Sequence, residues 1–203
     1  NNGAVVVCRS VFGGVYAKTT AIKTEGGSVQ QQAQALKVEN ADAVTIIVDV
    51  RTNYNVQDCE SPLTNYESIC RQAVDKALQR DYKVLRQEHV ADFSRLFSRV
   101  SLHLGDADAA KIPTDKRWLA VKAGADDPAL QALFFQYGRY LLMSSSREDS
   151  PLPVALQGFF NDNLACNMPW TNDYHLDINT QQNYWISNVG NLAECNAPLY
   201  TYI

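Results

Sequence analysis

Two hydrophobic periods divide the chain near residue 60. Before it, β-branched runs dominate: Val5-Val6-Val7, then Val15-Tyr16-Ala17-Lys18-Thr19-Thr20, then Val44-Thr45-Ile46-Ile47-Val48-Asp49-Val50. The pairs Gly13-Gly14 and Gly26-Gly27 punctuate them as turns, which predicts three or four antiparallel strands over residues 4–53. Strands without a covering helix cannot bury both faces, so this part reads as the edge of a larger β-structure.

After residue 60 the apolar spacing becomes three and four. Leu63, Tyr66, Ile69, Cys70, Ala73, Val74, Ala77 and Leu78 predict an amphipathic helix, with Ser61 as its N-cap and Pro62 at its first position. A second stripe runs through Tyr82, Leu85, His89, Phe93, Leu96, Phe97 and Val100. On that apolar face His89 reads as a buried, hydrogen-bonded histidine. Residues 100–105 alternate like a short strand with His103 facing solvent, and residues 106–112 form a polar connection. Pro113-Thr114-Asp115 opens a short helix, and Leu130, Leu133, Phe134, Tyr137, Leu141 and Leu142 mark a long one ending near Ser144. Residues 146–176 carry Pro151, Pro153 and Pro169 among amides and acids, a long irregular stretch of the kind that often carries function. Trp185, Val189, Leu192, Cys195, Leu199 and Tyr202 resume helical spacing, with interruptions predicted at Gly190 and Pro198.

Composition narrows the function classes. Of 203 residues, 46% are hydrophobic and 20% charged, which is globular rather than disordered. A net charge of −4 gives no basic footprint for nucleic acid or anionic lipid. No apolar run reaches the roughly 18 residues of a membrane span. The uncovered strands at one end and the helical pattern running on to Ile203 predict a portion of a longer polypeptide. The five cysteines, Cys8, Cys59, Cys70, Cys166 and Cys195, form no C-x-x-C pair, so a zinc ribbon or thioredoxin-type motif is disfavoured. They read as small buried hydrophobes. Ser144-Ser145-Ser146 lacks the flanking glycines of a nucleophile elbow.

The candidate chemistry lies in residues 156–185. Leu156-Gln157-Gly158-Phe159-Phe160-Asn161 is followed by Pro169-Trp170-Thr171-Asn172-Asp173-Tyr174-His175-Leu176-Asp177-Ile178-Asn179 and Asn183-Tyr184-Trp185. Aromatic rings suit the C–H faces of a pyranose, while amides and acids satisfy its hydroxyls. In an extended backbone, Asp173, His175, Asp177 and Asn179 would share one face. Three other readings stay open: a polar loop over a helical domain, a metal-dependent site at Asp173/His175/Asp177, and a non-catalytic sugar-binding protein.

These motifs closely resemble glycoside hydrolase family 95, together with Asn191-Leu192-Ala193-Glu194-Cys195 and upstream His89-x-x-Asp92-Phe93, Leu96-Phe97-x-Arg99-Val100, Pro113-Thr114-Asp115-x-Arg117 and Phe135-Gln136-Tyr137-Gly138-Arg139-Tyr140. The resemblance spans about residues 60–203. It implies inverting α-1,2-L-fucosidases, with α-L-galactosidases as the alternative in the same family. The implied fold class is mixed β then α. Residues 1–59 would end an N-terminal β-sandwich domain, residues 60–112 would form a helical linker, and residues 113–203 would open an (α/α)6 barrel.

Site roles follow from the same resemblance. His175 matches a sugar-contacting histidine that helps to set fucose against galactose preference, and Trp170 and Asn161 would line the sugar site. Positions 177 and 179 match an Asn-x-Asn pair that helps the base carboxylate orient the attacking water. Asn179 keeps the family residue, whereas Asp177 departs from it and, ionised, can only accept hydrogen bonds. Inversion also needs an acid and a base carboxylate, about 6.5–9.5 Å apart. In the resembled family both lie beyond the position of Ile203, and Glu194 reads as a capping or packing residue. The chain alone is therefore expected to be inactive. The implied partners are a glycan substrate and the remainder of a parent polypeptide, with no nucleic acid, membrane or cofactor. The implied location is periplasmic or extracellular.

Overall fold

A computed structural model describes residues 3–9, 15–32, 35–105, 107–158, 160 and 173–203. Strands precede helices throughout, so the chain is mixed β then α. It divides into two compact units, Asn1–Val90 and Ala91–Ile203.

In the first unit, β1 (Gly3–Arg9), β2 (Val15–Glu25) and β5 (Ala43–Thr52) form an antiparallel sheet in the order β1-β2-β5. The register sets Val5 opposite Thr19, and Thr19 opposite Asp49. A separate hairpin pairs β3 (Ser28–Gln32) with β4 (Ala35–Glu39). The described residues thus hold five strands, beyond the three or four expected. The extra arms are rich in glutamine and charge, and so carry little β signal. At the turn before β3, Gly27 has φ +66°, and a Cβ there would lie 2.3 Å from the Glu39 carbonyl oxygen. Only glycine fits.

Helix α1 (Tyr66–Leu78) lies on one sheet face. Ala17, Thr19 and Ala21 present a buried row of small side chains there, which lets Cys70 and Val74 approach closely. The Cys70 thiol donates to the Asp49 carbonyl at 3.2 Å. On β5 the alternate residues Val44, Ile46, Val48 and Val50 are 45–62% exposed. The helix starts at Tyr66 rather than at Pro62. Long-range bonds prevent the earlier start: the Leu63 N–H donates to the Asn53 carbonyl at 2.8 Å, and the Ser61 carbonyl accepts from Asn55 Nδ2 at 3.0 Å. His89, on α2 (Tyr82–Phe97), is exposed rather than buried, because residues 86–92 of that helix are all exposed.

The second unit contains the end of α2, then α3 (Thr114–Lys122), α4 (Pro128–Ser145), α5 (Asn179–Tyr184), α6 (Ile186–Val189) and α7 (Ala197–Tyr202). Leu96, Leu142, Met143, Val154, Tyr184, Leu192 and Cys195 form its core, with Phe93, Phe97, Ile186 and Leu199 packed around them. Gly138 lets α4 meet α6 closely, since a Cβ there would stand 3.1 Å from Ile186 Cδ1. Residues 100–105 are not a strand. The Val100 carbonyl, which a ladder would need, accepts instead from Gln136 Nε2 at 2.8 Å and Arg139 Nη1 at 3.4 Å. Gly190 ends α6 as expected, but Pro198 falls in the first turn of α7 and helps to open it. Among the described residues no helix is long and apolar enough to cross a membrane.

Candidate functional site

The motif residues sit where α5 begins. Residues 176–178 form a turn and α5 starts at Asn179, so the extended alternation expected over 173–179 does not exist. Local bonds drive the turn: Thr180 N–H donates to the His175 carbonyl at 3.0 Å, and Gln182 N–H to that of Ile178 at 2.9 Å. The Gln181 side-chain amide closes onto the Leu176 carbonyl. Asp177 lies exposed on this turn, and Asn179 is half-buried at the first position of the helix.

His175 and Asp173 do come together. His175 Nε2 lies 2.7 Å from Asp173 Oδ1. A carboxylate only accepts, so Nε2 carries the proton in this pair. In neutral imidazole that leaves Nδ1 as a free acceptor, with the ring orientation set by the acid. Asp177 and Asn179 have no side-chain hydrogen bond to a described residue. Trp170 and Asn161 lie outside the described residues. Among the described residues no group of three His, Cys, Asp or Glu side chains could hold a metal ion, so the reading of Asp173/His175/Asp177 as a cation site gains no third ligand.

A second stretch of chain braces this one. Leu156 N–H donates to the Asp173 carbonyl at 3.3 Å, and the Tyr174 hydroxyl donates to the Pro153 carbonyl at 3.2 Å. Asn183 Nδ2 donates to the Ala155 carbonyl at 3.1 Å. A cavity of about 380 Å³ adjoins them, with amides of Gln157, Gln182 and Asn183 beside the apolar walls of Leu141, Phe160 and Ile186. Its mix of amides and aromatic surface can satisfy a polyhydroxylated ligand.

Glu194 has a different place. Its Oε1 is 2.7 Å from Arg99 Nη1 and 3.9 Å from Arg95 Nη1. Its own backbone N–H, and then Arg99, hold the carboxyl below the usual glutamate range. A group kept ionised in this way is a structural ion pair and a poor proton donor. Sequence reasoning missed the hydroxyls of Tyr184 and Ser146. Tyr184 enters the sequence reading only within a motif, and Ser146 only as a candidate nucleophile. No local signal pairs them, since they are 38 positions apart.

Comparison with known proteins identifies the family. Residues 81–203 match the model of the glycosyl hydrolase family 95 catalytic domain. "Alpha-L-fucosidase 2" of Arabidopsis thaliana is 34% identical over 189 residues, covering 89% of this chain and 22% of that protein. "Probable alpha-fucosidase A" of Aspergillus niger is 30% identical over 203 residues, covering 95% of this chain and 25% of the fungal protein. The protein of that name in Aspergillus oryzae is 31% identical over 183 residues, covering 83% of this chain and 24% of its own length. The chain therefore spans about a quarter of the length of these relatives. With the match extending over more than half of its residues, the chain belongs to glycosyl hydrolase family 95 and carries part of that family's catalytic domain.

Proposed function

We propose that the full polypeptide containing this chain hydrolyses terminal α-1,2-linked L-fucosyl residues of glycans, with inversion at the anomeric carbon. The observation that carries the reading is the Asp173–His175 pair, directly preceding Asp177 and Asn179 in a chain of this family. The names of these relatives, all fucosidases, support the same substrate class.

In this reading Asp173 orients His175, whose Nδ1 accepts from a sugar hydroxyl. Trp170 stacks on the pyranose and Asn161 lines the site. The Asn179 carboxamide donates to a lone pair of the attacking water, Asp177 accepts a hydrogen bond from one of its O–H groups, and the other O–H is left for the base. Lone-pair direction and proximity are the contribution made here. The acid that protonates the leaving oxygen and the base that takes the water proton come from other parts of the polypeptide, so residues 1–203 alone are inactive. Residues 1–59 end a β-sandwich, residues 60–112 link, and residues 113–203 open an (α/α)6 barrel that the described helices do not close. The enzyme acts in the periplasm or outside the cell.

The test is the full polypeptide against an α-1,2-fucosyl disaccharide and the matching α-L-galactoside. Asn179→Ala should lower kcat by about a hundred- to ten-thousand-fold, the range for losing help to a general base. An unchanged kcat would overturn the site assignment. Preference for the galactoside would transfer the reading to the α-L-galactosidase class.

A further inference from the structure

Helix α5 is only six residues long, about 9 Å, and a helix this short has no stability of its own. Its position, and with it that of Asn179 at its first residue, is set by tertiary contacts. The buried contacts converge on its last residue. Val154 N–H lies 2.9 Å from Tyr184 Oη, Tyr184 Oη lies 2.8 Å from Ser146 Oγ, and Ser146 Oγ lies 2.8 Å from the Cys195 carbonyl oxygen. The ends of the chain fix its direction. An amide N–H can only donate and a carbonyl can only accept, so the Ser146 proton goes to Cys195 and the Tyr184 proton goes to Ser146. Three hydrogen bonds therefore run one way, from Val154 through Tyr184 and Ser146 to Cys195. Ser146 and Cys195 are fully buried and Tyr184 is 6% exposed, so water cannot replace a lost link.

We propose that Tyr184 and Ser146 are positioning residues for hydrolysis, holding α5 so that Asn179 meets the attacking water. This inference rests on the reading of Asn179 given above. The chain joins three pieces of structure to α5. Ser146 follows α4 directly, Cys195 belongs to the turn before α7, and Val154 opens the stretch whose neighbours bind Asp173 and Asn183. Losing the Tyr184 hydroxyl breaks the links to Val154 and Ser146, and losing the Ser146 hydroxyl breaks those to Tyr184 and Cys195. A displacement of about 1 Å at a reacting group can cost about a hundredfold in rate.

The experiment uses the full polypeptide, with kcat, KM and Tm measured for Tyr184→Phe, Ser146→Ala, Ser146→Thr, Asn179→Ala and Asp127→Asn. The last variant weakens the start of α4 away from the site and serves as the stability control. The expected result is that Tyr184→Phe and Ser146→Ala lower kcat by roughly ten- to a hundredfold with KM within about threefold. Ser146→Thr, which keeps a hydroxyl, and Asp127→Asn, even with a lowered Tm, should keep kcat within about threefold. Should Tyr184→Phe not fold, Ser146→Ala breaks the next link and carries the test. If Asn179→Ala loses activity while Tyr184→Phe and Ser146→Ala keep kcat, the positioning inference is wrong and the site reading stands. If Ser146→Thr falls as far as Ser146→Ala, the hydroxyl is not the cause and the inference is again wrong. If Asn179→Ala keeps full activity, the site reading fails and takes this inference with it.

Discussion

Arg117 grips Asp127 with two parallel hydrogen bonds, Nε to Oδ2 and Nη2 to Oδ1, both 2.8 Å long. Asp127 is also the N-cap of α4, where Oδ1 accepts the Leu130 N–H at 2.9 Å. One carboxylate thus joins α3 to the start of α4 and satisfies an otherwise orphaned amide.

This pair predicts acid sensitivity. The Arg117 hydrogen bond, helped by the Leu130 N–H, holds the Asp127 carboxyl below its ordinary value. A depressed folded-state pKa contributes stability that is complete above the unfolded value of about 3.9 and is lost as pH falls through the folded one. Asp127→Asn should therefore lower Tm at neutral pH and flatten the fall of Tm with acid below about pH 4. Thermal melts from neutral pH into the acid range check this. An unaltered acid slope would mean that other carboxylates govern it.

Arg139 predicts a larger effect. It is 0% exposed, yet its guanidinium donates to the carbonyls of Gly190 at 2.8 Å and of Leu96 and Phe97 at 2.9 Å each. The last two are terminal carbonyls of α2, so Arg139 caps that helix from inside the core. Arg139→Met removes the donor from the Gly190 and Phe97 carbonyls and from Gln136 Oε1, and leaves the Leu96 carbonyl only the Arg99 N–H at 3.3 Å, at about 1–3 kcal/mol for each buried group left unsatisfied. A loss of more than about 3 kcal/mol in urea denaturation is expected. Arg139→Lys should rescue little, since one ammonium cannot reach carbonyls on both sides of the planar fork. Near-native stability of Arg139→Met would contradict this capping role.

Both relationships bear on what could be read in the sequence. Sustained apolar periods mark α2 and α4 and the strands β2 and β5, although the apolar row of β5 and part of the α4 stripe are exposed. Failures occurred where a distant residue takes the decisive hydrogen bond. Asn53 takes the Leu63 N–H that an earlier helix start would have used, and Gln136 and Arg139 take the Val100 carbonyl that a strand would have paired. His89 followed the stripe but lies on an exposed stretch of its helix. At the site, the motif and its family were legible, whereas the hydrogen bond between Asp173 and His175 was not specified by the alternation alone. The turn over 176–178 was not, because alternation of residue types does not specify an extended backbone when helix-type bonds follow. Nor was the link from Tyr184 to Ser146, which only tertiary packing creates.

Thiol chemistry offers a check on burial. Cys59 is exposed, whereas Cys70 and Cys195 are fully buried, so the expectation of buried cysteines fails at Cys59. Burial also pushes the Cys195 thiol up, which leaves little thiolate at neutral pH. Under native conditions a maleimide should modify Cys59 rapidly, and Cys70 and Cys195 only after denaturation. Peptide-resolved mass spectrometry reads each site, and prompt native labelling of Cys195 would contradict the packing around Leu192 and Tyr184.

That this chain holds the water-positioning residues of an inverting fucosidase is the proposal on which the reading of the site depends. It is tested most directly by following the first turnovers of the full polypeptide on an α-1,2-fucosyl disaccharide by proton NMR. β-L-Fucose is expected to appear first and to mutarotate afterwards, since water activated opposite the leaving oxygen inverts the anomeric carbon. Initial release of α-L-fucose would show a double displacement through a covalent intermediate, and would contradict water as the direct nucleophile at Asn179.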